Sequence, residues 1–268
     1  MRKWFALSVL LSTASVCGTE PLIVAHRGAS KDAPENTLPA FELAFKQGAD
    51  AIEGDFHLTQ DGHVVCIHDR DTKKVAKANL NVSRSTLAEL RALDVGIRKG
   101  EPFKGTRIPT IAEVFAAIPA KKKIFIEIKC GEEIIPPLLT EIKKSGLENE
   151  QIVVICFKAS VLKALKAKAP ELKVSWLCNI KGNRKSGKAS PALEDVLKNL
   201  KDIKATGLSS GRGIPKEYIE SIEKHGYEWH VWTVNDEKTA RNMKALGVKS
   251  ITTDVPGRMR TYIAVESP

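Results

Sequence analysis

Ala51-Ile52-Glu53-Gly54-Asp55-Phe56-His57 reads as a strand with two unlike faces: Glu53, Asp55 and His57 fall on one side, Ile52 and Phe56 on the other. The same period of two in Ile124-Phe125-Ile126-Glu127-Ile128-Lys129 sets Glu127 and Lys129 opposite Ile124, Ile126 and Ile128. Each run keeps an apolar side for helices to cover and aims charge at the other. In a parallel sheet closed on itself, the charged side is the lumen near the strands' C-terminal ends.

Working outward, the alternation continues. Leu22–Ala25, Ile152–Cys156, Lys173–Cys178, Ala205–Leu208, Trp229–Thr233 and Ser250–Thr253 are further strand-like runs. Between them lie amphipathic stretches at Leu38–Gln47, Ile111–Ala117, Ile134–Ser145, Ala159–Ala169, Leu193–Asn199, Lys216–His225 and Glu237–Leu246. About eight β/α units in succession are the pattern of a parallel (β/α)8 TIM barrel. The rhythm breaks between His63 and Pro109, where a short run, Val64–Ile67, leads into a Lys-rich, turn-rich excursion. Within it, Ser85-Thr86-Leu87-Ala88-Glu89-Leu90 reads as a capped helical turn. We expect a rim insertion over about residues 69–109, after the second strand, where long loops carry function. A second polar loop runs from Lys181 to Lys188. No shift in composition divides the chain, so residues 19–268 read as one barrel domain.

Ahead of the barrel, Met1-Arg2-Lys3-Trp4 and the apolar run Phe5–Leu11 form a short positive head and a segment too short to cross a bilayer. Residues 1–18 are expected to be a signal peptide, and the mature chain to be exported, periplasmic or extracellular. The alternative is a lipid-modified Cys17, although Val16 is branched where a small residue is usual in such anchors. Lys+Arg 42 against Asp+Glu 32 gives a net charge of +10 in 268 residues, which favours encounters with anions. The lysines are dispersed, with no arginine-rich block and no aromatic-interleaved stripe. This reads as a solvated basic surface: nucleic acid is not expected, peripheral membrane contact is compatible, and no obligate protein partner is implied. Cys66, Cys130, Cys156 and Cys178 show no Cys-x-x-Cys spacing, against a zinc site. Free thiols are the default, with Cys130 and Cys156 the pair that export would allow to cross-link.

Burying Glu53, Asp55 and Glu127 is costly unless they are paired or hold a cation. Three carboxylates make an oxygen-rich site suited to Ca2+ or Mg2+. An ion-pair cluster with Lys129 and Arg27 satisfies them equally, and both readings are open from the strands alone. The histidines add chemistry. His26 ends the first strand and His68 ends the run Val64–Ile67, so both reach the same rim. With the carboxylates and Arg27 they supply a general acid, a general base, a metal and an anion clamp.

In this order, His26-Arg27-Gly28, Glu35-Asn36-Thr37, Glu53-Gly54-Asp55, His68-Asp69, Glu127-Ile128-Lys129, Val231-Trp232-Thr233-Val234-Asn235 and Thr253-Asp254, the chain resembles the glycerophosphodiester phosphodiesterase family from about Leu22 to about Arg258. The resemblance implies a (β/α)8 barrel with one divalent cation, Ca2+ or Mg2+, that hydrolyses a small-molecule phosphodiester to sn-glycerol 3-phosphate and an alcohol. It makes Glu53, Asp55 and Glu127 metal ligands and gives the phosphate oxygens to Arg27 and Lys129. His26 and His68 become the acid–base pair, with His26 as base and His68 as acid in the first step. Trp232 is either a wall against the glycerol carbons or a core aromatic. Two other readings remain: a lysophospholipase D-type enzyme, which an exposed apolar patch beside the pocket would favour, and a non-catalytic phosphate-binding barrel. A sphingomyelinase D-type barrel shares the chemistry but is not expected to carry Glu35-Asn36-Thr37.

Overall fold

A computed structural model describes residues 20–182 and 189–264. The expected signal peptide with Cys17, and residues 183–188 of the second polar loop, lie outside the described residues. In chain order the elements are β1 (Leu22–Ala25), α1 (Leu38–Lys46), β2 (Ala51–Leu58), β3 (Val64–Cys66), α2 (Leu87–Arg91), α3 (Ile111–Ala116), β4 (Lys123–Ile128), α4 (Ile135–Ser145), β5 (Ile152–Cys156) and α5 (Ala159–Lys168). Then come β6 (Lys173–Cys178), the two-residue pair β7 (Lys181–Gly182) and β8 (Ala189–Ser190), α6 (Leu193–Ile203), β9 (Gly207–Gly211), α7 (Lys216–Lys224), β10 (Glu228–Trp232), α8 (Glu237–Ala245), β11 (Ser250–Thr253) and α9 (Pro256–Ala264).

The large sheet runs β1-β11-β10-β9-β6-β5-β4-β2, and β1 also pairs with β2, so the parallel ladder closes into a (β/α)8 barrel. The short β3 is a ninth strand, antiparallel on the last residues of β2. Strand parity then sorts the side chains. Ile52, Phe56, Ile124, Ile126, Ile152 and Val154 face outward into the apolar layer beneath the helices. Ala51, Phe125, Val153, Ile155 and Leu177 face inward and fill the lumen with Val24. Burying one of the larger of these side chains is worth about 1.5–3 kcal/mol.

The excursion after β3 sits over an apolar centre of its own, in which Val65, Ile67, Ala76, Val82, Leu90, Val95 and Ile108 are buried. Its one α-helical piece, α2, carries the capped turn expected there: Thr86 accepts from the Glu89 N–H, and Glu89 reaches back to Thr86. Two lysines fasten this layer to the loop after β1: Lys74 Nζ lies 3.1 Å from Glu35 Oε1, and Lys99 Nζ donates to Ser30 O at 2.7 Å.

The cysteines weighed for a cross-link stand as two free thiols. Cys156 Sγ donates to Ile128 O at 3.2 Å, and burial pushes Cys130 and Cys156 each up to about 11, so both stay protonated. No helix among the described residues is long and apolar enough to cross a membrane.

Candidate active site

Two neighbouring strands set three acids on one spot. Asp55 and Glu127 are register partners on β2 and β4, and Glu53 precedes Asp55 on the same inward face. One oxygen from each of Glu53, Asp55 and Glu127 lies within 4.8 Å of the others. Glu53 and Asp55 are 2% and 1% exposed, so neither charge can be solvated by water.

Two cations flank them. Arg27 Nε is 3.2 Å from Asp55 Oδ2, and Lys129 Nζ is 2.8 Å from Glu127 Oε1 and 3.4 Å from Asp55 Oδ1. Asn36 closes the Asp55 side, donating from Nδ2 at 2.8 Å and accepting the Asp55 N–H at 3.1 Å. Burial pushes Asp55 upward, but Lys129, Arg27 and the Asn36 hydrogen bond more than offset it and hold it below its ordinary range. Glu53 goes the other way: burial, then the charges of Asp55 and Glu127, carry it well above. Burial and the Asp55 charge raise Glu127 as well. Three carboxylates against two cations leave one negative charge uncompensated, and Glu53 carries the strain of it.

The chain around Arg27 is bent to make these contacts. Arg27 and Asn36 are both left-handed, with φ of 56° and 60°. Such backbone is uncommon outside glycine and persists where the surroundings fix it. Here the Arg27 N–H donates to Glu53 Oε2 at 2.9 Å and the Asn36 N–H to Arg27 O at 3.0 Å. Gly28 is required beside them, since at φ +81° a Cβ there would stand 2.6 Å from the Ala40 backbone carbon. We expect Gly28→Ala to destabilise the fold by about 2–3 kcal/mol, read as a lower urea midpoint with unchanged slope.

His26 and His68 stand on the rim, each with an aspartate at Nδ1. His26 Nδ1 is 2.7 Å from Asp254 Oδ1, and His68 Nδ1 is 2.6 Å from Asp69 Oδ1. The carboxylates hold Nδ1 as the N–H, which leaves each Nε2 to exchange a proton. Asp254 itself is gripped: Ser30 Oγ donates to Oδ1 at 3.1 Å and Asn235 Nδ2 to Oδ2 at 2.6 Å. Burial works against its charge, but His26, Asn235 and Ser30 bring it down to about 2, so it stays ionised at any working pH. His57 shares the parity of Glu53 and Asp55 but does not join them. Its Nε2 meets His68 O at 3.2 Å, fixing the backbone that carries His68.

These groups line one cavity of about 260 Å³. His26, Arg27, Glu53, Glu127, His68 and Lys129 form its polar side. Opposite stand Phe125, Ile155, Leu177 and Trp232, with Phe157 edge-on to Trp232 at 5.7 Å. Trp232 is thus half-buried, part of the lumen packing and part of the cavity wall. Asp55 lies just beneath. Apart from Asp55, the cavity is lined by every site residue expected from the sequence. Roles missed there are those of Asp254, Asp69, Asn36 and Glu35, the last of which accepts from Arg27 Nη1 at 3.2 Å.

A divalent cation fits this donor set. Glu53 Oε1 is buried with no hydrogen-bond partner, the excess charge is negative, and all three donors are hard oxygens.

The Glycerophosphoryl diester phosphodiesterase family profile matches residues 26–258. A glycerophosphodiester phosphodiesterase of Caldanaerobacter subterraneus subsp. tengcongensis is 37% identical over 243 residues, which span 88% of this chain and 94% of that one. A human lysophospholipase D is 28% identical over 269 residues, 90% of this chain and 85% of its own. Among solved structures, an Oleispira antarctica phosphodiesterase in complex with the product sn-glycerol-3-phosphate matches with a TM-score of 0.82 at 26% identity, covering 92% of this chain and 98% of that one. With likeness along the whole barrel, the chain is a phosphoric diester hydrolase. Within that class it belongs to the glycerophosphoryl diester phosphodiesterase family.

Proposed function

We propose that this protein hydrolyses glycerophosphodiesters to sn-glycerol 3-phosphate and the free alcohol, using one divalent cation and His26 and His68 as the acid–base pair. The observation that carries the reading is the convergence of three buried carboxylates, two cations and two aspartate-anchored histidines on one rim cavity. Held by Glu53, Asp55 and Glu127, the cation would supply Lewis-acid polarisation of the phosphate. Arg27 and Lys129 face the same anion and offset the charge that gathers on its oxygens. His26 Nε2 takes the proton of a glycerol hydroxyl as its oxygen bonds to phosphorus, and His68 Nε2 gives a proton to the departing alcohol oxygen. In the second step His68 takes a proton from water as it opens the cyclic phosphate, and His26 returns one to the glycerol oxygen.

Asp254 acts through His26 in this scheme, so Asp254→Asn is expected to lower kcat by about tenfold or more with a small change in KM. An unchanged kcat would make the Asp254 contact structural only.

A second reading rests on Phe157, which is 43% exposed at the cavity mouth beside Trp232 and offers apolar surface to an acyl chain. Lysophospholipase D-type turnover would use the same polar groups. Against it, Lys73-Lys74-Val75-Ala76-Lys77-Ala78-Asn79 on the insertion gives an acyl chain little to rest on. The deciding assay compares glycerophosphocholine with lysophosphatidylcholine at matched concentration, with the products resolved. We expect choline and glycerol 3-phosphate from the first, faster than choline from the second; the reverse order would favour the lipid reading.

A further inference from the structure

Past His68 the site opens into a second cavity of about 760 Å³. His68 and Lys129 line both, so the two meet at the residue assigned to protonate the leaving alcohol. One wall is the insertion, where the Asp71–Asn81 bridge ties the segment carrying Arg70 to the segment carrying Arg84. The other wall is built from the loops after β4 and β5, with Gly131 and Lys158.

We infer that this groove selects diesters whose alcohol carries a second anionic group, a phosphate above all, and that Arg70, Arg84 and Lys158 read that group. The inference rests on the hydrolytic reading and adds the class of alcohol to it. All three side chains are exposed, and none forms an ion pair with a carboxylate among the described residues. Lys158 Nζ reaches only a backbone oxygen, Cys130 O at 3.3 Å. The acids of the same groove already have donors: Asp69 has His68, Asp71 Oδ1 accepts the Lys73 N–H at 3.0 Å, and Glu133 Oε1 accepts the Gly131 N–H at 2.8 Å. Three cations with no carboxylate partner among the described residues therefore line a concave surface on the leaving-group side. Two arginine forks suit the paired oxygens of a phosphate, whereas a quaternary ammonium offers them nothing to hydrogen-bond. The smaller cavity, with Phe125, Leu177 and Trp232 opposite the charges, suits the glycerol carbons and leaves the groove to the alcohol.

The test measures kcat/KM of the full chain at low ionic strength for glycerophosphocholine, glycerophosphoglycerol and glycerophosphoinositol 4-phosphate. We expect the last to be favoured over the choline diester by about tenfold, with the neutral alcohol between, and the advantage to shrink in about 0.5 M salt. Combining Arg70→Gln with Arg84→Gln should remove most of that ratio, in protein whose melting temperature matches the parent. Lys158→Gln, on the opposite wall, should lower it independently, which decides the matter if the double variant fails to fold. Equal efficiency on all three diesters, a preference for choline, or an anionic preference that survives every substitution would overturn the inference. Absence of turnover on all three would count against the hydrolytic reading instead. Calorimetric Kd values for the same diesters then decide the groove: about tenfold tighter binding of the phosphorylated alcohol supports it, and equal binding overturns it.

Discussion

Exhaustive chelation should lower glycerophosphocholine hydrolysis by about 10³-fold or more, and added Mg2+ or Ca2+ should restore it. The expectation follows from an imbalance that the protein cannot correct by itself. Glu53, Asp55 and Glu127 each offer an oxygen within 4.8 Å of the others, and among the described residues the Arg and Lys side chains that ion-pair with them are Arg27 and Lys129. Glu53 Oε1 has no partner, and its carboxyl is driven well above its ordinary range. A buried acid in that state binds a proton unless a stronger cation takes its place. Glu53→Gln should therefore reproduce the chelated enzyme and no longer respond to added metal. Full activity after chelation would return the three acids to a structural ion-pair cluster.

The second large effect is on the histidines, where His26→Ala and His68→Ala should each reduce kcat by about 10²-fold or more. Both sit on the rim, and the apolar layer does not depend on them. The two roles separate on a substrate whose leaving group is an acidic phenol. Such an alcohol departs without a proton, so His68→Ala should recover most of its loss in the release of phenol, whereas His26→Ala should not. Recovery by His26→Ala in its place would exchange the assignments of base and acid. Near-normal turnover in either variant would remove that histidine from the mechanism.

The inward and outward faces of β2 and β4 were legible because strand parity needs only the local sequence, and the hydrophobic residues on the outer face left little choice of register. Asp254 was legible in principle. Closing the barrel pairs Ala25 with Thr253, so the residues that follow, His26 and Asp254, must be neighbours. That inference requires taking closure as a distance constraint between the two ends of the chain. Asn36 was not legible in this way. Its left-handed backbone and its two contacts to Asp55 depend on how the loop before α1 folds over β2.

Elsewhere local composition misled. The ninth strand in chain order, β9, was expected at Ala205–Leu208 and lies at Gly207–Gly211, which includes the polar residues Ser209 and Ser210. Both hydroxyls are satisfied, Ser209 in the lumen with Ser175 at 2.9 Å and Ser210 in the outer layer with Trp229 Nε1 at 2.9 Å. The closing helix α9 was not among the expected helices; it starts at Pro256, and proline is well tolerated in a first turn.

The separate apolar centre beneath the insertion bears on how such a protein can change over generations. Side chains there pack on one another, and the groove cations Arg70 and Arg84 are displayed from that layer. The carboxylates, by contrast, are tied into the barrel ladder by β2 and β4. On the proposed mechanism, substitutions that redraw the groove are thus largely insulated from the carboxylates that would hold the cation. A lineage can shift its taste in alcohols, step by step, while the hydrolytic machinery is inherited intact.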